Sequence, residues 1–197
     1  MYVLGVTGNI GSGKSSVSKR FAEHGAMVSH SDDLAKYLLE NDKALLGQLC
    51  KHFGDDILDG SGQLQRHILA QRAFSSKEGQ QYLNQLIHPK VWEATKKRID
   101  VAREQGHVLF IVDAPLLYEA GVDSYTDSVL VVTANDLSRQ SRIYERSRIS
   151  TEDFTRRDKL QMSIEKKMQQ ADYVIYNDGS LEELFEKVDN LYRQIMR

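Results

Sequence analysis

The chain has 197 residues, with 26 Lys and Arg against 28 Asp and Glu and a formal net charge of −2. That length suits one α/β domain with room for an inserted lobe, and the charge balance excludes a global basic field for DNA, RNA or an anionic membrane. Cys50 is the only cysteine, so no internal disulfide forms, and no apolar run approaches the roughly 18 residues of a membrane span; a cytoplasmic setting is expected.

Residues 2–7, Y-V-L-G-V-T, read as the first strand, too soon followed by glycines for a secretory leader. They run into Gly8-Asn9-Ile10-Gly11-Ser12-Gly13-Lys14-Ser15, which fits G-x-x-x-x-G-K-[ST] between a strand and a helix. Glycines there let backbone amides turn inward as an anion nest. Lys14 adds positive charge at the outer phosphates, the Ser15 hydroxyl can ligate Mg²⁺, and the helix over 14 to about 24 points its positive end at the same anion. The pattern implies a bound nucleoside triphosphate. The bland alternative, a glycine turn beside an exposed lysine, does not account for the strand before it and the helix after it.

Gly25 ends the first helix, and 27–29 form a short second strand leading to Asp32-Asp33 and a helix reaching about residue 39. Residues 42–105 are mostly helical in pattern, more than a crossover needs, so an inserted lobe is expected there, with 59–62 as its clearest loop. Within it, His88-Pro89 reads as a local break, with Pro89 in the first turn of a new helix. Cys50, between Leu49 and Phe53, reads as a small apolar helix residue. Strands follow at 107–113, 129–132 and 173–176, and a final helix from about 180 carries Leu181, Leu184, Phe185, Val188, Leu191, Tyr192 and Ile195 at a period of 3.6. Alternating strands and helices predict an α/β fold, a parallel sheet with helices on both faces. No repeat or low-complexity segment occurs.

In such a sheet, ligands sit beyond the carboxyl ends of the strands, where Asp32, Asp33 and Asp113 fall. Phosphoryl transfer needs Mg²⁺, an acid to orient the attacking hydroxyl, and cations for the developing charge. Asp113 fits the acid of the metal site; Asp32 can reach an incoming hydroxyl, although it or Ser31 can equally cap the next helix. Arg139, Arg142 and Arg146, spaced three and four apart, share a helix face that is either solvated or a phosphate clamp. Their place after the fourth strand, where a lid would fold, favours Arg142 and Arg146 as clamp residues. His88 reads as a cap or packed side chain, and zinc-ligand spacing and nucleophile triads are absent.

Taken together the residues resemble one family, the dephospho-coenzyme A kinases, over nearly the whole chain. The resemblance rests on T-G-N-I-G-S-G-K-S-S at 7–16, H-S-D-D-L-A-K at 30–36, G-x-L-Q-R at 62–66, N-x-x-x-H-P at 84–89 and D-A-P-L-L-Y-E at 113–119. It extends to Arg142 and Arg146, Gln161, A-D-Y-V-I at 171–175, Asn177 and Gly179. The phosphate loop is generic; the 113–119 run with the histidine-proline pair is specific. The resemblance implies a P-loop NTPase-type three-layer sandwich with a five-stranded parallel sheet in a single domain spanning 1–197. Its core would be 1–40 and 106–197, with a helical lobe for coenzyme A at about 41–105 and a lid at about 136–150. It implies transfer of the γ-phosphoryl of ATP to the 3′-hydroxyl of dephospho-coenzyme A, with ATP and Mg²⁺ required and oligomeric state left open.

Carried over by position, Asp32 matches the acid for the 3′-hydroxyl. Gly11, Ser12, Gly13, Lys14, Ser15 and Ser16 match the ATP loop. Arg142 and Arg146 match the lid cations, and Asn177 and Gly179 a loop near the adenine edge. Two positions depart from the family pattern: His30 stands where its first acid would be, and Lys36 where an arginine would be. If the family's first acid helps hold magnesium through water, a protonated His30 cannot, so either Asp33 or Asp113 takes that role or the contact is dispensable; Lys36 keeps charge but not a bidentate fork. Competing readings are a kinase of a smaller hydroxylated metabolite, which needs no large helical lobe, and a guanine-nucleotide switch, whose N-K-x-D segment is absent. A module that only hydrolyses ATP would need no acid at Asp32.

Overall fold

Five strands, β1 Tyr2–Thr7, β2 Met27–His30, β3 Leu109–Asp113, β4 Ser128–Thr133 and β5 Tyr173–Tyr176, form one sheet in the order β2-β3-β1-β4-β5. Every neighbouring pair is parallel. The computed structural model describes residues 1–148 and 150–197, without the side chains of Arg146 and Arg157. Helices in chain order are α1 Lys14–Glu23, α2 Ser31–Asn41, α3 Lys43–Phe53, α4 Arg66–Ala73, α5 Lys77–Glu104, α6 Asp136–Ser147, α7 Thr151–Lys159, α8 Ile164–Gln170 and α9 Leu181–Ile195. The chain divides into two units, Met1–His30 with Ile99–Arg197, and Ser31–Arg98. No described helix is long and apolar enough to cross a membrane.

In the first unit the sheet is covered on both faces, as its uniform apolar strands require. Leu4, Val6, Leu109, Ile111, Leu130 and Val132 point to one face, where α1 adds Val17 and Phe21 and α9 adds Leu184, Val188 and Leu191. The alternate residues Val3, Phe110, Val112, Val129 and Val131 are equally buried on the other face. Gly5 lies there too, and a Cβ on it would sit 2.7 Å from Leu117 Cδ1. Away from the strand ends, α1 and α9 are stapled by Arg20, whose Nε and Nη2 donate to the two Asp189 oxygens at 2.7 Å each, and by His24 at 2.7 Å from the same carboxylate. His24 stacks on Tyr192.

Topology places the ligand crevice. The chain leaves β1 through α1 toward β2 and leaves β4 through α6 toward β5, so these neighbouring strands send their connections opposite ways. In open α/β sheets ligands bind beyond the carboxyl ends of strands at such a reversal. β3 starts at Leu109 rather than 107 because the His107 amide is spent on Ala102 O, closing the turn at Gly106 that ends α5.

The second unit is helical. Leu45, Leu49, Phe53, Ile57, Leu69, Ala73, Leu83 and Ile87 form its core, with Cys50 packed at the margin, where burial pushes its thiol pKa up. Asp42 caps α3 through the Leu45 amide and takes the Lys90 ammonium at 2.6 Å. The 59–62 loop closes on Asp59, whose Oδ1 accepts from the amides of Ser61 and Gln63. One expectation is corrected: α5 runs unbroken through Pro89. An interior proline costs a helix about 3 kcal/mol, but the helix also buries Leu83, Ile87, Thr95, Ile99 and Ala102, and that burial outweighs one lost hydrogen bond.

Candidate active site

The loop after β1 has its conformation dictated by glycine. Gly8 (φ 148°) lies so close to β4 that a Cβ would fall 2.1 Å from Val132 O, and Gly13 (φ 100°) would place one 2.2 Å from Asn177 Nδ2. Gly13 also opens α1, with no side-chain cap and no acid in the first turn. By contrast, Asp42, Asn135, Ser163 and Ser180 cap α3, α6, α8 and α9 with their own oxygens. The head of α1 thus has neither a side-chain cap nor an acid of its own first turn against its positive end, the electrostatics an anion uses. Lys14, half-buried, and Ser15, exposed, are its first two residues, and Ser16 donates its amide to Gly13 O at 3.0 Å.

Asp113 ends β3 and is buried. Its Oδ2 accepts from the Ser18 hydroxyl at 2.9 Å and lies 3.2 Å from His30 Nδ1, at the end of β2. The departure at His30 is thus explained physically: it partners the acid that ends the neighbouring strand, opposite it in register. Asp32 and Asp33 stand in the first turn of α2, where carboxylates favour the helix dipole. Lys36 pairs with Asp33 at 3.0 Å on an exposed surface.

Arg139 and Arg142, three residues apart on α6, do not act as one face. Arg139 turns inward, buried, with Nε donating to Ile10 O at 3.0 Å and the guanidinium paired with Asp136 and Asp158. Arg142 donates through Nη2 to Asn177 O at 2.9 Å, while its buried Nη1 has no partner among the described residues. The side chain of Arg146 lies outside the described residues. Asn177 is buried and donates through Nδ2 to Ser12 O at 2.9 Å. The Ser12 hydroxyl is also buried without a described partner. An unpaired buried donor costs about 1–3 kcal/mol, and Ser12 and Arg142 place two of them beside the loop.

Sequence reading missed three supports. Ser18 holds Asp113; one signal for it is a serine one turn beyond the loop, beside core-facing Val17 and Phe21. Lys167 is wholly buried, donating to Pro115 O at 2.7 Å and lying 3.2 Å from Glu119 Oε1. Burial pushes its pKa down while Glu119 opposes the shift. Glu119 in turn accepts from the Met162 amide at 2.7 Å, so the 113–119 run is held by α8 and the turn before it. The third, Asp158, accepts from Asn9 Nδ2 at 3.2 Å. Nothing in the sequence flags Lys167 or Asp158.

Among the described residues no group of three or more His, Cys, Asp or Glu is placed to hold a metal ion. The arrangement fits a triphosphate: an uncapped helix head, left-handed glycines, unpaired buried donors and one buried carboxylate at the next strand end but one in chain order.

Comparison with known proteins agrees over the full length. The family model described as dephospho-CoA kinase matches residues 2–183. A dephospho-CoA kinase of Fusobacterium nucleatum is 38% identical over 193 residues, covering 98% of each chain. One of Syntrophotalea carbinolica is 35% identical over 196 residues, covering 100% of this chain and 93% of its own. Among solved structures, dephospho-CoA kinase from Campylobacter jejuni superposes with a TM-score of 0.73 at 25% identity, covering 98% of this chain and 96% of its own. A shikimate kinase from Acinetobacter baumannii, at TM-score 0.54 and 13% identity over 100% of this chain and 93% of its own, shares the fold alone. With the glycine-built loop, the buried acid of β3 and these full-length matches, the chain belongs to the dephospho-CoA kinase family.

Proposed function

We infer that this chain transfers the γ-phosphoryl group of ATP to the 3′-hydroxyl of dephospho-coenzyme A, giving coenzyme A and ADP. The observation that carries the reading is the glycine-built loop running into an uncapped α1, in a chain whose residues 2–183 match one kinase family. Gly11, Ser12, Gly13, Lys14, Ser15 and Ser16 hold the triphosphate, with Lys14 at the outer phosphates. Arg142 and Arg146 add charge to the transferring group, and Asn177, whose amide and carbonyl are bonded within the site, supports the nucleotide beside it.

Mg²⁺ fits the donors present. The Ser15 hydroxyl and the Asp113 carboxylate are hard oxygen ligands, and Mg²⁺ ordinarily takes only one or two protein oxygens beside phosphate and water. Ser18 and His30 hold the Asp113 carboxylate in place, and it and the Ser15 hydroxyl are the groups that would hold the ion. When bound, the ion neutralises phosphate charge as it develops.

Asp32 is assigned to the acceptor. Its carboxylate takes the 3′-hydroxyl proton as the oxygen forms its bond to the γ-phosphorus, and the bond from that phosphorus to the β-bridging oxygen breaks toward ADP. Most of the rate then comes from positioning and charge stabilisation.

A coupled assay with ATP and dephospho-coenzyme A, against adenosine, AMP and shikimate as alternative acceptors, tests the reading. Conversion of dephospho-coenzyme A alone is expected, and Asp32→Asn should lower it more than a hundredfold while ATP affinity stays within threefold. Turnover of a control acceptor instead, or a fully active Asp32→Asn, would overturn the assignment.

A further inference from the structure

The apex of the phosphate loop is held by side chains from far along the chain. The Ile10 amide donates to Gln161 Oε1 at 3.0 Å, and Asn9 O, in the same peptide plane, accepts from the Ser12 amide at 3.1 Å. In the next plane, Ile10 O accepts from Arg139 Nε at 3.0 Å. In a trans peptide the carbonyl and the following amide point in opposite directions. A carbonyl drawn outward to Arg139 therefore turns the Gly11 N–H inward, into the nest. The same logic holds at Ser12, whose carbonyl is drawn to Asn177 Nδ2 and so turns the Gly13 N–H inward.

Arg139 is fixed for this task. Its side chain is only 4% exposed, braced by Asp136 and Asp158, with Phe154 lying 5.3 Å beneath the guanidinium carbon. Asp158 is shared, since it also accepts from Asn9 Nδ2. The feet of α6 and α7 are thus both pinned to the loop apex.

We propose that Arg139 and Gln161 are positioning residues that set two successive peptide planes of the phosphate loop, aiming the Gly11 amide at the nucleotide phosphates. The proposal rests on the reading that this loop holds the triphosphate. A flipped plane would present a carbonyl where an N–H is needed, turning attraction into repulsion. Lysine at 139 keeps the charge but loses the fork that reaches Ile10 O and Asp158 together.

The test uses the full chain with Arg139→Lys, Gln161→Met and Gln161→Glu. Titration calorimetry with ATP and Mg²⁺ is read beside KM for ATP, KM for dephospho-coenzyme A and Tm. Arg139→Lys and Gln161→Met should each weaken ATP about tenfold and raise its KM equally, with KM for dephospho-coenzyme A moved less than twofold. Gln161→Glu, which keeps an acceptor for the Ile10 amide, should stay within threefold of wild type. Unchanged ATP affinity in Arg139→Lys and Gln161→Met would overturn the proposal. So would a Gln161→Glu as impaired as Gln161→Met, or equal loss of both substrates with a falling Tm, the mark of general damage. If dephospho-coenzyme A proves not to be the acceptor, the calorimetric arm still decides the question.

Discussion

The phosphate loop and the helical unit 31–98 are stabilised by opposite means. In the loop, polar contacts to residues more than a hundred positions away fix three peptide planes, through Ile10 with Gln161 and Arg139 and through Ser12 with Asn177. In the helical unit an apolar cluster from Leu45 to Ile87 supplies the cohesion. Ion pairs such as Lys36 with Asp33 and Lys97 with Glu93 are exposed there and add little; the half-buried Lys90–Asp42 pair is the better placed one. The lesson is that a change in the loop should strike function with little loss of stability, and a change in the helical core should do the reverse.

The largest effect belongs to Lys14→Ala. Removing the cation at the outer phosphates should lower kcat/KM by two to four orders of magnitude, about 3 to 5 kcal/mol of barrier. Tm should move less than about 2 °C, since the side chain is only half-buried. A near-normal rate would show that the loop is not the catalytic cradle; a collapse of Tm would erase the contrast between the regions.

Leu49→Ala is the converse. Leu49 is fully buried in the helical unit, and truncation there should cost about 2 to 4 kcal/mol, or roughly 5 to 12 °C in Tm for a chain of this size. Calorimetric ATP affinity of the folded protein should remain within twofold. A large loss of ATP affinity at modest thermal cost would mean the helical core governs the loop after all.

Legibility in the sequence follows the same division. The strands, the loop and the capped helices are written in contiguous residues, so local pattern suffices to find them. The destinations of Arg139 and Arg142 are not: a spacing of three puts them on neighbouring helix positions, but the acceptors, Ile10 O and Asn177 O, are set by the tertiary fold. Lys167 is the clearest case. A lysine in the middle of a polar helix reads as solvated, yet it is wholly buried because Pro115 O and Glu119, about fifty residues earlier, supply its hydrogen bonds. Pro89 fails in the other direction, a strong local signal overridden by the apolar residues buried along α5. Asp32 was legible as an acid following a strand, and its competing use, supporting the first turn of α2, is also visible.

The smallest effect tests whether every long-range polar contact in the sheet unit serves the site. Asp189 joins α9 to α1 through Arg20 and His24, away from the loop apex, so Asp189→Asn should reduce stability and leave ATP affinity unchanged. The Arg20 hydrogen bonds, then that of His24, hold the Asp189 carboxyl far below the usual carboxylate range against an opposing desolvation. A depressed folded pKa stabilises above the unfolded value, near 3.9, and that stabilisation is lost as pH falls toward the folded value. The carboxylate is about a quarter exposed, so its worth is about 1 to 2 kcal/mol rather than the full charge-assisted figure. Wild type should therefore exceed Asp189→Asn by roughly 3 to 6 °C in Tm at pH 7, with the gap flat down to about pH 5 and closing below about pH 4. A gap that widened in acid would reverse the sign of the linkage and remove the Arg20–Asp189 staple as its cause. A variant that lost ATP affinity as well would extend the loop's long-range bracing to the back of α1, and the division between site and staple would have to be redrawn.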